Sequence, residues 1–427
     1  MKTFIYPPTA KWAPLMERPA FNVYDLNKTV LQIFDEIRKN GDKAVKRFTW
    51  LFDKVKLQSS AVTAEEIDDA ERNLSEELIK ALKFAKRNIE KFHAAQLESK
   101  KVIETTNGVT CWRESRAIDK IGIYIPGGTA PLFSTVLMLG IPAKLAGCKD
   151  IVLCSPPDKQ GNIDPAILFA AKLVGVTAIY KIGGIQAIGA MTFGTPTIPK
   201  VNKIFGPGNQ FVNAAKQMVQ NYGVATDMPA GPSELLVIAD DSSIPEFVAA
   251  DLLSQAEHGI DSQVILLSDS KDVIAATLSE IGKQLKEIPR AEIALKALEN
   301  SRAILLNSIK ECVEFSNEYA PEHLILAIKD YNDITDKIES AGSVFLGNYS
   351  CESAGDYASG TNHTLPTNGF ARNYSGVSVD SFVKKISFQE LTKEGIQNIG
   401  PSIELMAEAE HLIAHRNAVT IRLKNLN

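Results

Sequence analysis

The first hundred residues carry apolar side chains at helical spacing. The segment DLNKTVLQIFDEIRKNG (25–41) has apolar residues three and four positions apart and ends at Gly41, which predicts an amphipathic helix. A further helix is predicted to begin at Thr63, because Thr63 and Glu66 have the spacing of a capping box. His93 lies in the same charged, amphipathic region, and we expect it on a solvated helix face.

From residue 121 the pattern changes to short apolar runs of β-forming residues. Most are followed by Gly or Pro and then by a helical stretch, and they include IGIYIP, IVLCSPP, TAIYKIGG, VNKIFGPGN, ELLVIAD, SQVILLS, AILLN, HLILAI and GSVFLG. Strand, glycine loop and helix in repetition predict parallel sheets built from βαβ units. The expected fold is therefore α/β: two Rossmann-like lobes with parallel sheets, an N-terminal helical segment and a small α-rich C-terminal tail.

The tail, from residue 378 onward, is predicted to contain helices and a final strand. Its apolar content is too small for a core of its own. A segment of this kind usually packs against another domain or a partner subunit, which favours a dimer.

Composition narrows the class of protein. The chain has 427 residues, 45% hydrophobic and 23% charged, with a net charge of −5, which indicates two or three globular domains and no broad basic surface for nucleic acid. No apolar run approaches the roughly 18 residues that span a bilayer, and MKTFIYPPTAKW lacks the apolar region of a secretory signal. Five scattered cysteines without a C-x-x-C pair indicate reduced thiols in a cytoplasmic enzyme: Cys111, Cys148, Cys154, Cys312 and Cys351.

Three glycine-rich turns stand between an apolar strand and a helix. They are IYIPGGTAPL, which includes Tyr124, KIGGIQAIG (181–189) and IFGPGNQF (204–211). Free N–H groups and the helix dipole at such turns favour a phosphate. None is a complete dinucleotide fingerprint, since Phe211 stands where a third glycine is required after Gly206 and Gly208. A tight turn without a ligand explains any one of them, but three at the same end of parallel strands favour nucleotide binding.

Five of the six histidines lie between residues 258 and 415, each near carboxylate or amide groups: His258, His323, His363, His411 and His415. Nitrogen and oxygen donors of this kind suit zinc or another divalent metal. Each also has a structural explanation; Gln255 and His258, three residues apart, fit a polar helix face as well as a metal site.

Glu322 and His323 are neighbours, and neighbours in a strand point to opposite faces. They can converge on one substrate only at a bend, which Pro321 favours. If they converge, they provide an acid–base imidazole and a carboxylate that activates water.

Taken together, seven segments resemble the histidinol dehydrogenase family, in family order and over almost the whole chain. They are YIPGG (124–128), IFGPGN (204–209), DMPAGPSE (227–234), SQAEHG (254–259), APEHL (320–324), ESAGDYASGTNHTLPT (352–367) and AHRNAV (414–419). The resemblance implies NAD-dependent oxidation of L-histidinol, through L-histidinaldehyde, to L-histidine in the last steps of histidine biosynthesis.

The resemblance also implies roles for individual residues. One zinc ion per subunit would have the ligands Gln255, His258, Asp356 and His415. His323 would be the general base and Glu322 the group that activates water. Substrate contacts would come from Ser233, Gln255, His258, His323, Asp356, Glu410 and His415, and NAD contacts from Tyr124, Gln186 and Asn209. His363 would lie behind the ligands, and His411 has no implied role.

The implied assembly is a homodimer in which the tail of each chain completes the active site of its partner. The expected division is an arm over 1–21, a first lobe over 22–122 and 235–377 with the zinc and catalytic residues, a second lobe over 123–234 with the NAD contacts, and a tail over 378–427.

Two other functions fit part of the pattern. A zinc hydrolase would use the same metal ligands with Glu322 as base, but leaves the glycine-rich turns without a role. A ligand-binding α/β protein leaves the Glu322–His323 pair unexplained. The ligand set does not fix the metal either, because manganese and cobalt accept the same donors.

Overall fold

The computed structural model describes residues 1–19, 23–127, 130–229 and 231–426. The strands are β1 (Lys2–Ile5), β2 (Val102–Thr106), β3 (Val109–Ala117), β4 (Lys120–Tyr124), β5 (Asp150–Ser155), β6 (Ala178–Lys181), β7 (Lys203–Phe205), β8 (Ala225–Thr226), β9 (Glu234–Ala239), β10 (Gln263–Ser268), β11 (Arg302–Leu305), β12 (His323–Ala327), β13 (Ser343–Leu346) and β14 (Val383–Leu391).

The helices are α1 (Trp12–Leu15), α2 (Val23–Asn40), α3 (Asp42–Asp53), α4 (Ala64–Arg72), α5 (Glu76–Ala94), α6 (Phe133–Ala146), α7 (Pro165–Val174), α8 (Gly184–Phe193), α9 (Gln210–Met218), α10 (Pro245–Ala256), α11 (Lys271–Gln284), α12 (Ala291–Glu299), α13 (Ile309–Tyr319), α14 (Glu352–Tyr357), α15 (Lys393–Ala409) and α16 (Ile413–Lys424). Each of the nine apolar runs that predicted a strand contains one. The capping box is present at the start of α4, where Thr63 and Glu66 bond each other's backbone N–H. No helix in the described part of the chain is long and apolar enough to cross a membrane.

Two parallel sheets with the same strand order form the framework. The five-stranded sheet has the order β6-β5-β4-β7-β8, and the six-stranded sheet has β1-β11-β10-β9-β12-β13. The six-stranded sheet has β1 as an additional edge strand beside β11. In each sheet, the first strand of the βαβ series (β4 or β9) is central, the next two lie on one side and the later two on the other. This is the doubly wound arrangement, so the predicted pair of Rossmann-like lobes is confirmed. Its inner strands, such as β5, β9, β10 and β12, are buried on both faces, which explains their nearly continuous apolar sequences.

The N-terminal helices pack against the five-stranded sheet. Ile33, Phe34 and Ile37 of α2 belong to the same buried cluster as Ile188 of α8, and Gly189 lets the two helices approach closely. Helix α5 packs in the same way against α6. The packing therefore groups residues 23–94 with the five-stranded sheet, whereas the sequence-based division assigned 22–122 to the lobe of the six-stranded sheet.

The expectation of a solvated His93 is wrong. His93 is fully buried in α5; its Nδ1 lies 3.0 Å from Gln96 Oε1, and its Nε2 lies 3.4 Å from Asn362 Nδ2. Burial lowers its pKa. A buried polar network can thus occupy one position of a helix whose neighbours are charged.

The tail begins with a strand and ends with a helix. Strand β14 pairs antiparallel with β3, and helices α15 and α16 pack against each other, with Val419 and Leu423 close to Gly400. The predicted final strand is wrong because Val419 and Leu423, four residues apart, form the apolar side of a helix. All five cysteines are free thiols.

Candidate active site

The candidate site lies at the amino ends of the central strands of the six-stranded sheet. Glu234 is the first residue of β9 and His323 the first of β12, and His323 is paired with Leu235 across the two strands. Helix α10 follows β9 and returns to the same end of the sheet, so its last turn brings Gln255 to the site. Ligand sites of doubly wound sheets usually lie at the carboxyl ends of the strands; this one does not.

Glu322 and His323 both contact the main chain of Glu234. The Glu234 N–H donates to Glu322 Oε2 at 2.9 Å, and the Glu234 carbonyl lies 3.2 Å from His323 Nδ1. Neighbouring side chains converge here because Ala320, the residue after α13, is in the left-handed region (φ 53°) and Pro321 follows. His323 Nδ1 and Glu322 Oε2 are 3.6 Å apart.

The contact with Glu234 selects which nitrogen of His323 is free. If Nδ1 donates to the carbonyl, Nε2 carries the lone pair of the neutral ring. Nε2 is buried and has no hydrogen-bond partner among the described residues, and Asp356 Oδ1 lies 3.6 Å away. His323 therefore presents an unpaired nitrogen to the site.

Carboxylates dominate the electrostatics around His323. Burial opposes its charged form, but Glu352, Glu322 and Asp356 outweigh that effect and raise the pKa of His323 to about 10. Burial raises the pKa of Glu322 to about 8. Buried carboxyl groups in such number are either protonated or balanced by positive charge, and a bound cation would supply that charge.

His258, Glu352 and Asp356 form a group of possible metal ligands. Their donor atoms lie within 4.8 Å of one another. Imidazole nitrogen and carboxylate oxygen are donors that zinc and other divalent metals accept, so this group fits a divalent metal. Glu352 was not among the ligands predicted from the sequence, although Glu352 and Asp356 are four residues apart in α14 and thus share a helix face.

Gln255 is fully buried beside this group. The amide orientation that satisfies both of its ends places Oε1 2.9 Å from the Glu234 N–H and directs Nε2 to the Glu352 carboxylate. Gln255 thus links Glu352 to the residue that contacts Glu322 and His323.

His363 connects the two lobes. Its Nδ1 lies 2.8 Å from the Asp356 carbonyl oxygen, and its Nε2 lies 3.0 Å from the Thr135 hydroxyl. Thr135 is in the first turn of α6, which follows the carboxyl end of β4. The carboxyl end of the five-stranded sheet therefore adjoins the amino end of the six-stranded sheet.

The glycine-rich turns lie at that carboxyl end. Tyr124 ends β4, and its hydroxyl accepts the N–H of Gly184 at 3.0 Å. Gly206 follows β7 with φ of 120°, and a Cβ there would stand 2.1 Å from the Tyr124 carbonyl oxygen, so only glycine fits. β4 and β7 are the neighbours at which the strand order reverses, where doubly wound sheets bind nucleotides. Gly128 and Thr129 of the first turn lie outside the described residues.

Two predicted cofactor contacts have different surroundings. Asn209 is exposed and caps α9, its Oδ1 accepting the N–H groups of Phe211 and Val212 at 3.1 Å. Gln186 is fully buried; its Nε2 donates to Asp53 at 3.4 Å, and its Oε1 has no partner among the described residues.

A buried ion pair fixes the turn after β7, and its lysine lies in none of the motifs identified from the sequence. Lys216 Nζ lies 2.6 Å from Asp227 Oδ1 and donates to the Gly206 carbonyl at 2.6 Å. The other carboxylate oxygen of Asp227 accepts the Gly206 N–H at 2.8 Å. The N–H and the carbonyl of Gly206 are thus both hydrogen-bonded to this ion pair.

Comparison with known proteins agrees with this geometry. The family model described as histidinol dehydrogenase matches residues 16–423. The chain belongs to the histidinol dehydrogenase family. It is therefore an NAD-dependent oxidoreductase of histidine biosynthesis, and the hydrolase and binding-protein alternatives fall away.

Similar histidinol dehydrogenases cover the whole chain. The protein of Bacteroides thetaiotaomicron is 58% identical over 426 residues, 100% of both chains. That of Escherichia coli K12 is 50% identical over 96% of this chain and 95% of its own. A crystal structure of histidinol dehydrogenase from Elizabethkingia anophelis is 64% identical, with a TM-score of 0.99 over 100% of this chain and 99% of that one.

Within one chain, the tail residues that the family resemblance implicates do not belong to the group of possible metal ligands. Glu410 follows α15, and His415 lies on α16; both are exposed, as is His411, whose φ is 60°. Ser233 directly precedes Glu234, and its carbonyl accepts the Gln263 N–H at 3.1 Å.

Proposed function

We propose that the chain oxidises L-histidinol through L-histidinaldehyde to L-histidine, with successive reduction of two NAD⁺. The observation that carries the proposal is the unpaired Nε2 of His323, held beside the Glu322 carboxyl and the group of metal-ligand donors. This site adjoins the end of the sheet where the strand order predicts a nucleotide.

His323 is the general base of both oxidations. Its Nδ1 donates to the Glu234 carbonyl, so Nε2 of the neutral ring accepts the hydroxyl proton of the alcohol and later that of the hydrated aldehyde. A bound metal ion would offset the carboxylates that raise the pKa of His323 and would thereby favour this neutral form. Glu322 activates the water that hydrates the aldehyde. Its burial, which raises its pKa to about 8, makes the carboxylate a stronger base than an exposed one.

Zinc would be held by Gln255, His258 and Asp356 of one chain and by His415 of a second copy. When bound, zinc supplies positive charge that orients the nitrogen-rich substrate, and NAD⁺ supplies the hydride acceptor. If the Gln255 oxygen turns toward a metal, the Glu234 N–H keeps its Glu322 acceptor.

Tyr124, Gln186 and Asn209 would contact NAD. All three belong to or follow strands β4, β6 and β7 at the carboxyl end of the five-stranded sheet. Gln186 is the most informative of them, because its fully buried Oε1 lacks a partner within the described part of the chain and can accept a hydrogen bond from a ligand.

The tail would pack on a second copy of the chain and place Glu410 and His415 in its site. Exposed apolar side chains support this arrangement: Leu405, Met406 and Ile421 are 70%, 66% and 60% exposed. Burying them against a partner would remove a large apolar surface from water.

The test is the absorbance of NADH formed from L-histidinol and NAD⁺ by the metal-loaded protein, with and without chelator. We expect two NADH per L-histidinol and a loss of activity on chelation that added zinc reverses. One NADH per substrate, or none, would refute the proposed reaction.

A second test addresses the shared site. A His323→Ala chain co-expressed with a His415→Ala chain gives mixed dimers in which one of the two sites has no substitution. Recovery of activity toward half of the wild-type value per mixed dimer is expected, and none would show that His415 acts in its own chain.

A further inference from the structure

The N-terminal arm contributes one charged residue to the layer beneath the active site. Arg18 makes a bidentate contact with the Glu234 carboxylate, with Nε 2.5 Å from Oε1 and Nη2 3.0 Å from Oε2. The side chains are 14% and 2% exposed, respectively. Such a pair, planar and desolvated, constrains geometry more strongly than a surface ion pair does.

The peptide groups of Glu234 contact the side chains of both Glu322 and His323. Its N–H donates to the Glu322 carboxylate and its carbonyl faces His323 Nδ1. The position of its backbone therefore sets where the carboxylate and the imidazole stand.

Three further contacts hold Arg18 and Glu234 in place. Arg18 Nη2 donates to the Tyr319 carbonyl at 2.7 Å, and its guanidinium carbon lies 3.9 Å from the centre of the Tyr319 ring. The N–H of Asn368 donates to Glu234 Oε1 at 2.8 Å. Tyr319 ends α13, just before the bend that leads to Glu322 and His323. Arg18 thus joins the start of β9 to the segment that carries both catalytic side chains.

We infer that Arg18 is a positioning residue for proton transfer: through Glu234 it holds Glu322 and His323 in their reactive arrangement. The inference rests on the proposed function of those two residues. Arg18 does not touch the reacting atoms. Its loss would leave the Glu234 carboxylate buried without its cation, and the main chain that contacts Glu322 and His323 would shift.

The test compares Arg18→Met, Arg18→Lys, and the double variant Arg18→Met with Glu234→Gln. The measurement is the single-turnover rate of NADH formation, with saturating enzyme in excess over L-histidinol. Under these conditions the rate constant does not depend on the folded fraction, which thermal unfolding and zinc content report separately. Arg302→Met is the matched control, since this partly buried arginine of β11 pairs with the Asn300 carbonyl and not with Glu234.

We expect Arg18→Met to lower the rate constant roughly 10- to 100-fold, because misplacing catalytic groups by about 1 Å costs about 100-fold. The KM for each substrate and the zinc content should stay within about threefold of wild type. Arg18→Lys should be intermediate, because it keeps the charge but not the bidentate contact. The rate constant of the double variant should exceed that of Arg18→Met, because Glu234→Gln removes the buried carboxylate that would otherwise lack its cation.

A rate constant within twofold of wild type in folded Arg18→Met would overturn the inference. So would a double variant no faster than the single one, or a loss that follows zinc content alone. Wild-type protein that forms no NADH from L-histidinol would instead refute the proposed function.

Discussion

Lys216→Met is the substitution whose effect follows most directly from the structure. Lys216 and Asp227 form an ion pair of 2.6 Å whose side chains are 4% and 1% exposed, respectively. The methionine side chain fills similar space but leaves the Asp227 carboxylate without its cation. The same change removes the donor to the Gly206 carbonyl.

The expected loss in free energy of unfolding depends on the hydrogen bonds that Asp227 retains. Removing one partner from a buried ion pair costs about 3–5 kcal/mol. Asp227 keeps two donors, the Gly206 N–H at 2.8 Å and the Thr226 hydroxyl at 3.0 Å, so we expect the lower end, about 3 kcal/mol. Because the turn of Gly206 loses one restraint, the KM for NAD⁺ should rise as well.

Lys172→Met provides the comparison. Lys172 and Asp68 form an ion pair of nearly the same length, 2.8 Å, but their side chains are 43% and 63% exposed. Solvent screening makes the contribution of such an exposed pair to stability small. Urea unfolding followed by circular dichroism measures both variants, and the reaction with varied NAD⁺ measures KM.

If Lys216→Met and Lys172→Met differ by less than about 1 kcal/mol in free energy of unfolding, burial does not set the strength of the pair and the reasoning fails. Adding Asp227→Asn to Lys216→Met should recover part of the loss, because the unpaired charge is removed. An unchanged KM for NAD⁺ would show that the turn of Gly206 does not contact the cofactor.

Three other predictions test separate parts of the site. Gly206→Ala should raise the KM for NAD⁺ at least about tenfold, since its Cβ would meet the Tyr124 carbonyl at 2.1 Å; normal NAD⁺ titration by fluorescence quenching would contradict this. Glu352→Gln should weaken zinc binding about 10- to 100-fold in competition with a chelating dye, and unchanged affinity would exclude Glu352 from the metal environment. Burial raises the pKa of Asp53 to about 6, so its folded form binds a proton more tightly than the unfolded chain does. Its contribution to stability is complete below about pH 4 and is lost as pH rises through about 6, by about 1 kcal/mol after allowance for partial exposure. Asp53→Asn should flatten that part of the stability profile, and identical profiles would contradict the assignment.

Most strands of the fold could be predicted from sequence because they are short apolar runs, many of them followed by Gly or Pro. The secondary structure of the tail was harder to predict. Residues 413–424 contain enough β-branched side chains to suggest a strand, but packing against Gly400 decided in favour of a helix. The prediction for His93 was wrong for a similar reason. Its partner Asn362 is 269 residues away, and no local sequence pattern indicates such a contact.

Some residues of the candidate site could likewise be predicted from the sequence, and others could not. Gln255, His258 and Asp356 lie in recognisable motifs, and Glu352 could have been added from its four-residue spacing to Asp356. Arg18 and Lys216 could not be predicted from the sequence, because each contacts a partner that only the folded chain brings near. Arg18 meets Glu234 across 216 positions of sequence, and a lone arginine in the arm has no spacing that marks it.

In the proposed function the site lies at the amino ends of β9 and β12, so the opposite edge of the six-stranded sheet takes no part in catalysis. The turns that follow β9 and β12 there include the exposed residues Asp241, Ser242, Lys329 and Asp330. Fluorophores, affinity handles or inserted peptides attached at these turns would be separated from the reacting atoms by the full length of the strands. The edge that is usually the least suitable for modification in an α/β enzyme is thus the natural place to label this one.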